Sequence, residues 1–256
     1  MEFSVDFLDR VCLGDCLDLM RQIPDNTIDL VACDLPYGVT QHKKDIALDL
    51  DILWKEYYRI AKINAAFVLT AQFPFTADLF NSNRKHFKYD MVWNKVIAGG
   101  FLNANRMPMR VHENILVFYR KQPTYNPQFT DSDKPLHAMG KSYLQRETIH
   151  QNYGHYERAE DTRKGTTKRH PTSIVTFAKP HSSQMTHRTQ KSLELFKWII
   201  ATFSNSGDIV LDNCCGSGTT AVAAKSLGRH FVAMDSDNEC VTMSESRVAE
   251  LGESSV

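Results

Sequence analysis

Ile28-Asp29-Leu30-Val31-Ala32-Cys33-Asp34-Leu35-Pro36-Tyr37 is an apolar run closed by an acid, a proline and an aromatic ring. Its first six residues read as a buried strand. In an open α/β sheet, chemistry gathers where such strands end, at their carboxyl edge. Asp34 can accept hydrogen bonds from an amino group. Pro36 fixes its own φ and keeps Leu35 extended, so the carbonyls of Leu35 and Pro36 can be aimed at the same amine. Tyr37 offers a flat face for stacking. The four residues suit an exocyclic amine on a planar ring, but a plain strand and turn would read alike, so the rest of the chain decides.

Working outward, the remaining strands read as Val11–Gly14, Ala66–Thr70, Phe87–Trp93, Asn114–Tyr119, Thr172–Phe177, Asp208–Leu211 and Arg229–Met234. Amphipathic helices read over Leu48–Ile63 and Thr189–Phe203, further helices over Thr219–Leu227 and Asn238–Leu251, and short ones at Leu17–Ile23 and Pro74–Phe80. Strands alternating with helices predict an α/β fold with a doubly wound, mostly parallel sheet. The polar stretch Gly38–Lys44 is a candidate substrate loop.

The second informative stretch is Ile209-Val210-Leu211-Asp212-Asn213-Cys214-Cys215-Gly216-Ser217-Gly218-Thr219-Thr220: strand, glycine turn, helix start. The next strand ends in Asp235, 17 residues after Gly218. Glycines admit a ligand close to the backbone, and an acid at the second strand end can hold both hydroxyls of a ribose. Asp212 beside the turn repels phosphate and suits an ammonium, and no Gly-Lys-Ser/Thr follows. A nucleoside carrying an amino-acid group fits, and S-adenosylmethionine meets that description; NAD binding or a structural turn are the alternatives. Asp15 ends the first strand. It is expected between the two sites, either contacting the cofactor or capping the turn that follows it.

Composition narrows the class. The 256 residues carry equal numbers of acidic and basic side chains, so net charge names no partner. Its distribution is uneven: Arg84–Arg120 holds seven Lys or Arg against two acids, Arg158–Lys191 eight against two, and Asp235–Glu253 six acids and one arginine. One face is expected to meet a polyanion. The six cysteines lack zinc-ligand spacing and read as reduced thiols. Six of ten histidines fall between His137 and His187 without tight spacing, so no metal is expected. Met1–Asp9 carries three acids and no basic segment, and no stretch resembles a transmembrane span, so a cytoplasmic protein without membrane contact is expected.

Together these stretches resemble the DNA amino-methyltransferases, in the permuted (beta) class whose catalytic motif precedes its cofactor motif. Asp34-Leu35-Pro36-Tyr37 is similar to the family's Asp-Pro-Pro-Tyr, the version associated with adenine N6. Asp212–Gly218 is similar to Asp-Pro-Phe-x-Gly-Ser-Gly, and Thr189-Gln190-Lys191 to the middle of His-Pro-Thr-Gln-Lys-Pro. Trp93-Asn94-Lys95, His112–Phe118 and Pro171–Ile174 match connecting segments. Leu35 in place of proline, Asn213-Cys214-Cys215 in place of Pro-Phe-x, and Asp235 in place of the commoner glutamate are departures that remove no required group.

The resemblance implies a seven-stranded methyltransferase sheet and transfer of methyl from S-adenosylmethionine to adenine N6 in flipped-out duplex DNA, with N4 of cytosine as the alternative. It implies a catalytic half over residues 1–120, an inserted target-recognition region over 121–170 and a cofactor half over 171–256. It assigns Asp34, Leu35, Pro36 and Tyr37 to catalysis. Asp15, Thr189, Lys191, Asp212, Cys214, Gly216, Gly218, Thr219 and Asp235 are assigned to the cofactor. Arg106, Arg110, Arg163, Lys164, Lys168 and Arg169 are candidate phosphate contacts, and Asn126, Gln128 and Asn152 candidate base readers. Members are often dimeric, so a homodimer is an expectation from resemblance alone. With no nuclease motif present, an orphan enzyme and the modification partner of a separate restriction endonuclease both remain open.

Overall fold

The structure, a computed structural model, describes residues 7–38, 47–135, 149–150, 154–155, 165–179 and 190–253. The chain divides into two compact units, one made of Met1–Asn126 with Ser173–Val256 and the other of Pro127–Thr172. In chain order the strands are β1 (Arg10–Leu13), β2 (Ile28–Asp34), β3 (Ala61–Ala71), β4 (Phe87–Gly99), β5 (Arg110–Tyr119), the two-residue β6 (Thr130–Asp131), β7 (Ile149–His150), β8 (Gly154–His155) and β9 (Lys168–Arg169), then β10 (Ile174–Thr176), β11 (Ile209–Asp212) and β12 (His230–Asp235). The helices are α1 (Cys16–Met20), α2 (Leu50–Ile60), α3 (Phe75–Ser82), α4 (Leu193–Phe203), α5 (Thr219–Ser226) and α6 (Asn238–Glu253).

The first unit is built on one sheet in the order β1-β12-β11-β2-β3-β5-β4-β10. Every neighbouring pair is parallel except the two involving β5. The strands are apolar along their length because both faces are covered. Alternate residues serve opposite layers. Leu30, Ala32, Ala66, Val68, Ile115, Val117, Val210 and Ala233 pack with α4, α5 and α6. Their chain neighbours Val31, Cys33, Phe67, Leu69, Leu116, Phe118, Leu211 and Met234 pack with α1, α2 and α3. That alternation is the physical content of "doubly wound".

The sheet has eight strands where the family pattern implies seven. The additional one is β10 at the edge, parallel to β4 through Val175 opposite Trp93, and it coincides with the β-branched run read from the sequence. β4 and β5 are also longer than their apolar cores suggest. Trp93 pairs with Glu113, Asn94 with His112 and Gly99 with Arg110, so the hairpin continues after the apolar pattern has ended and, by Gly99 and Arg110, into exposed residues.

β1 is an edge strand beside β12, with Leu13 opposite Asp235. Asp15 therefore does not lie between the two sites. The strand ends run in the order Asp15, Asp235, Asp212, Asp34 across the sheet, because β12 and β11 separate β1 from β2.

The second unit pairs β6 antiparallel with β9, and β7 with β8. Within it Asp131 receives the Thr167 hydroxyl and the Lys168 ammonium, both at 2.9 Å. Among the described residues, no helix is long and apolar enough to cross a membrane.

Candidate active site

Asp34 is the last residue of β2, opposite Thr70 on β3. Three donors converge on its Oδ1: the Tyr37 hydroxyl at 2.6 Å, the Thr70 hydroxyl, and the Lys191 ammonium at 3.0 Å. Among the described residues, Oδ2 takes no hydrogen bond, which leaves it to a further donor. Lys191 also meets Glu113 Oε2 at 2.6 Å, and Lys95 meets Glu113 Oε1 at 3.0 Å. The result is an alternating chain, Asp34–Lys191–Glu113–Lys95, largely withdrawn from solvent. Burial opposes the charge on Lys191, but Asp34, Tyr37 and Glu113 outweigh it and hold the ammonium well above the ordinary lysine range. Burial likewise opposes the charge on Glu113, and Lys191 and Lys95 pull its carboxyl below the usual value. Burial first and Asp34 second push the Tyr37 phenol well up, so it stays a donor.

The backbone explains this convergence. Leu35 is buried in the apolar layer under α2 and α3, so it anchors the turn and can offer the site only its carbonyl. The Tyr37 ring stacks on Phe75 at the start of α3, with centroids 5.4 Å apart and planes at 23°. Trp93 and Lys95 stand two apart on one face of β4, beside Glu113 on β5. The Trp93 indole donates to the Phe177 carbonyl at 2.8 Å and its ring lies 5.7 Å from the Lys191 ammonium.

The second acid behaves differently. Asp212 closes β11, next to β2, and is 4% exposed. Burial pushes its carboxyl up to about 6, against hydrogen bonds from Thr220, Cys33 and the Cys214 N–H. The Cys214 N–H lies 3.2 Å from Oδ1. Beyond it, the Gly216 N–H donates to Asp235 Oδ2 at 2.8 Å, and the Asp237 N–H to Oδ1 at 2.9 Å.

The two glycines have different reasons to be glycine. Gly216 has φ +51°, and a β-carbon there would meet no atom within 4 Å, so its face is open to a ligand. Gly218 has φ +73°, and its β-carbon would lie 2.7 Å from that of Ser244. Gly218 therefore serves the approach of α5 to α6 rather than a ligand.

Other expected cofactor residues are placed differently from the reading. Lys191 does not join the glycine turn; its ammonium is on Asp34 and Glu113, because the segment before α4 runs over the end of β2. The Cys214 thiol is drawn into a buried cluster with Cys16, Cys33 and Asn213, so its backbone is what can face a ligand. The Thr219 hydroxyl is buried against Ser217 and Arg247 of α6. Asp15 caps α1, its Oδ1 receiving the Leu17 N–H at 2.8 Å, which is the structural alternative. Thr189 lies outside the described residues, as do Arg163, Lys164, Asn152 and the loop after Gly38.

Among the candidate DNA contacts, Asn126 is committed elsewhere. Its side-chain amide donates to the Ala201 and Ser204 carbonyls, tying down the end of α4. Lys168 pairs with Asp131, and Arg169 donates to the Lys134 carbonyl at 2.7 Å. Arg106 and Arg110 are exposed.

The sequence reading gave no role to Thr70, Phe75, Lys95 or Glu113. Lys95 and Glu113 sit in segments that match the family pattern, and their opposite charges at facing ends of a hairpin were the available signal. Thr70 and Phe75 carried none, since only the register of β3 against β2 brings Thr70 to Asp34.

A family model described as DNA methylase matches residues 28–246. The Moraxella bovis type II methyltransferase M1.MboII is 25% identical over 91% of this chain and 94% of its own length. The Haemophilus influenzae type II methyltransferase M.HinfI is 22% identical over 96% of this chain and 70% of its own. Among solved structures, the M1.HpyAVI–SAM complex aligns over 93% of this chain and 98% of that one, with TM-score 0.62 and 21% identity. The cytosine-N4-specific PvuII DNA methyltransferase aligns over 93% and 85%, with TM-score 0.65 and 14% identity. At these identities the structural matches speak for the fold.

Proposed function

The chain belongs to the DNA methylase family whose model spans residues 28–246, and from that membership we propose that it methylates the N6 of adenine at specific sites in duplex DNA, with S-adenosylmethionine as methyl donor. The observation that carries the reading is the pairing of two unlike acids on adjacent strand ends. Asp34 is backed by donors on one oxygen, and Asp212 is buried with its proton affinity raised. The Asp-Leu-Pro-Tyr turn supports the adenine assignment.

The turn fits such a donor. The buried Asp212 suits an ammonium, the open face of Gly216 admits the ligand, and the half-buried Asp235, already oriented by two backbone N–H groups, can accept from ribose hydroxyls. When bound, S-adenosylmethionine supplies an electrophilic methyl on a sulfonium.

The protein's task at the other end is to improve a poor nucleophile, because the lone pair of an aryl amine is delocalised into its ring. Asp34 Oδ2 and the carbonyls of Leu35 and Pro36 accept from the amine and favour a tetrahedral nitrogen. Its lone pair then points toward the glycine turn. The amine proton becomes acidic as the new N–C bond forms, so Asp34 need not remove it beforehand. The Lys191 ammonium, 3.0 Å from Oδ1, holds the Asp34 carboxylate in place together with the Tyr37 and Thr70 hydroxyls, so that Oδ2 is left to the amine. The amine is inaccessible within a duplex, so the base is flipped out, and the Tyr37–Phe75 pair is the stacking surface beside it.

The second unit, Pro127–Thr172, is the proposed target-recognition region, with Gln128 a candidate base reader. The type II methyltransferases among the relatives support a modification role beside a separate restriction endonuclease. The fold shared with a cytosine-N4-specific enzyme keeps that base as the second reading. Nucleoside analysis of duplex DNA methylated with labelled S-adenosylmethionine tests the assignment. Label in N6-methyladenine is expected, and label in N4-methylcytosine overturns the base.

A further inference from the structure

We infer that the arm joining β4 to β5, Val96 to His112, enters DNA as a wedge: Phe101 and Leu102 insert beside the target base, and Arg106 and Arg110 hold the flanking phosphates. The inference rests on the proposed action on duplex DNA.

All residues of the arm are exposed, so it projects from the body rather than packing on it. Its apolar side chains are large and bare: Phe101 is 73% exposed, Leu102 84%, Val96 56% and Met107 50%. Large apolar side chains left bare together on one short arm mark a contact site. The occupant follows from charge. Between Val96 and His112 there is no acidic residue, and the two charged side chains are both arginines, although acids and bases balance over the whole chain.

A two-fold contact between copies would set the same patch against itself, and Arg106 and Arg110 against their own kind with no acid in the arm to match them. Duplex DNA presents the complement: phosphates for the arginines and base steps that apolar side chains can part, as minor-groove wedges do.

Position agrees. The arm leaves the body at Lys95 and returns at Glu113, the ion pair linked through Lys191 to Asp34. The arm is thus rooted at the ion-pair chain that ends on the carboxylate proposed to receive the extruded amine, and its tip reaches out from there. The bends are built in. Val96 holds φ +67°, strained for a β-branched residue, with its N–H on Asn94 Oδ1 at 3.0 Å. Gly100 at φ +83° opens the 3-10 turn Phe101–Asn103 that carries the tip.

The test compares wild type with Phe101→Ser/Leu102→Ser, both checked for matching thermal unfolding. The substrate is a duplex bearing the sequence mapped from wild-type product, with the target base either paired or already unpaired opposite an abasic site. The double variant is expected to transfer methyl at least about tenfold more slowly to the paired base, with most of the loss recovered on the unpaired one. Arg106→Gln/Arg110→Gln is expected to lower the slope of log affinity against log salt by about 2. An unchanged rate on the paired base, or an equal loss on both substrates, overturns the wedge. A fall from dimer to monomer in sedimentation overturns it in favour of a contact between copies. Wild-type protein that methylates no DNA fails at the parent reading instead, before the arm is tested.

Discussion

Asp34 and Asp212 end neighbouring strands of one sheet, yet their surroundings are opposites. Asp34 has 27% of its side chain exposed and is bonded to an ammonium that is itself held charged. Asp212 is 4% exposed, and the groups named as its partners are neutral donors: Thr220, Cys33 and a backbone N–H. A carboxylate with a built-in cation already has its positive partner. One without a cation is incomplete, and binding a positive ligand is what would complete it. The proposed function uses this difference: one acid for an amine that must stay neutral and reactive, and another for an ammonium.

The largest expected effect comes from Asp34→Asn. Methyl transfer should fall about a thousandfold, since the pull on the amine is lost, while cofactor affinity measured by calorimetry changes little. Lys191→Met comes next and attacks the built-in cation. It leaves Glu113 with Lys95 alone and Asp34 with no cation, so stability should drop by about 3 kcal/mol in denaturant unfolding. Adding Glu113→Gln should recover part of that loss, whereas an additive loss would show that the two do not act as a pair.

Asp212→Asn should weaken S-adenosylmethionine binding about tenfold to a hundredfold. It should also remove a pH effect whose sign is set by the direction of the shift. The folded pKa is raised from 3.8 to about 6, so the folded state holds this proton more tightly than the unfolded chain does. The stability it contributes is fully present below pH 3.8 and is lost as pH rises through about 6, about 3 kcal/mol in all. Cofactor affinity should run the other way, rising with pH across the same window as proton release becomes unnecessary. Both slopes should be flat in the variant. The smallest effect is that of Gly218→Ala, about 1–2 kcal/mol of stability from a left-handed backbone and the approach to Ser244. A variant as stable as wild type would show that α5 and α6 can separate there at no cost.

The strands and the acids at their ends were legible because buried parallel strands are apolar throughout and stop abruptly at a charge, as at Asp34, Asp212 and Asp235. What lay across the sheet was not. The place of β1 at the edge depends on pairing with a strand more than two hundred residues away, and no local pattern encodes it. Lys191 was legible as part of a motif but not as a partner of Asp34, because its motif adjoins α4 in sequence and Asp34 only in space. Thr70 reaches Asp34 through strand register alone. The hairpin beyond Trp93 carried no apolar signal, because its inward positions hold the charged pair Lys95 and Glu113 and its side chains from Val96 to His112 face water.

The most direct test of the division between the two acids is a paired measurement on wild type, Asp34→Asn and Asp212→Asn: calorimetric binding of S-adenosylmethionine, and single-turnover methyl transfer to DNA at saturating cofactor. The account predicts that Asp34→Asn binds the cofactor as wild type does and transfers about a thousandfold more slowly, while Asp212→Asn binds weakly and, once saturated, transfers within about tenfold of wild type. Equal loss of binding in both variants, or undiminished transfer by Asp34→Asn, would contradict it.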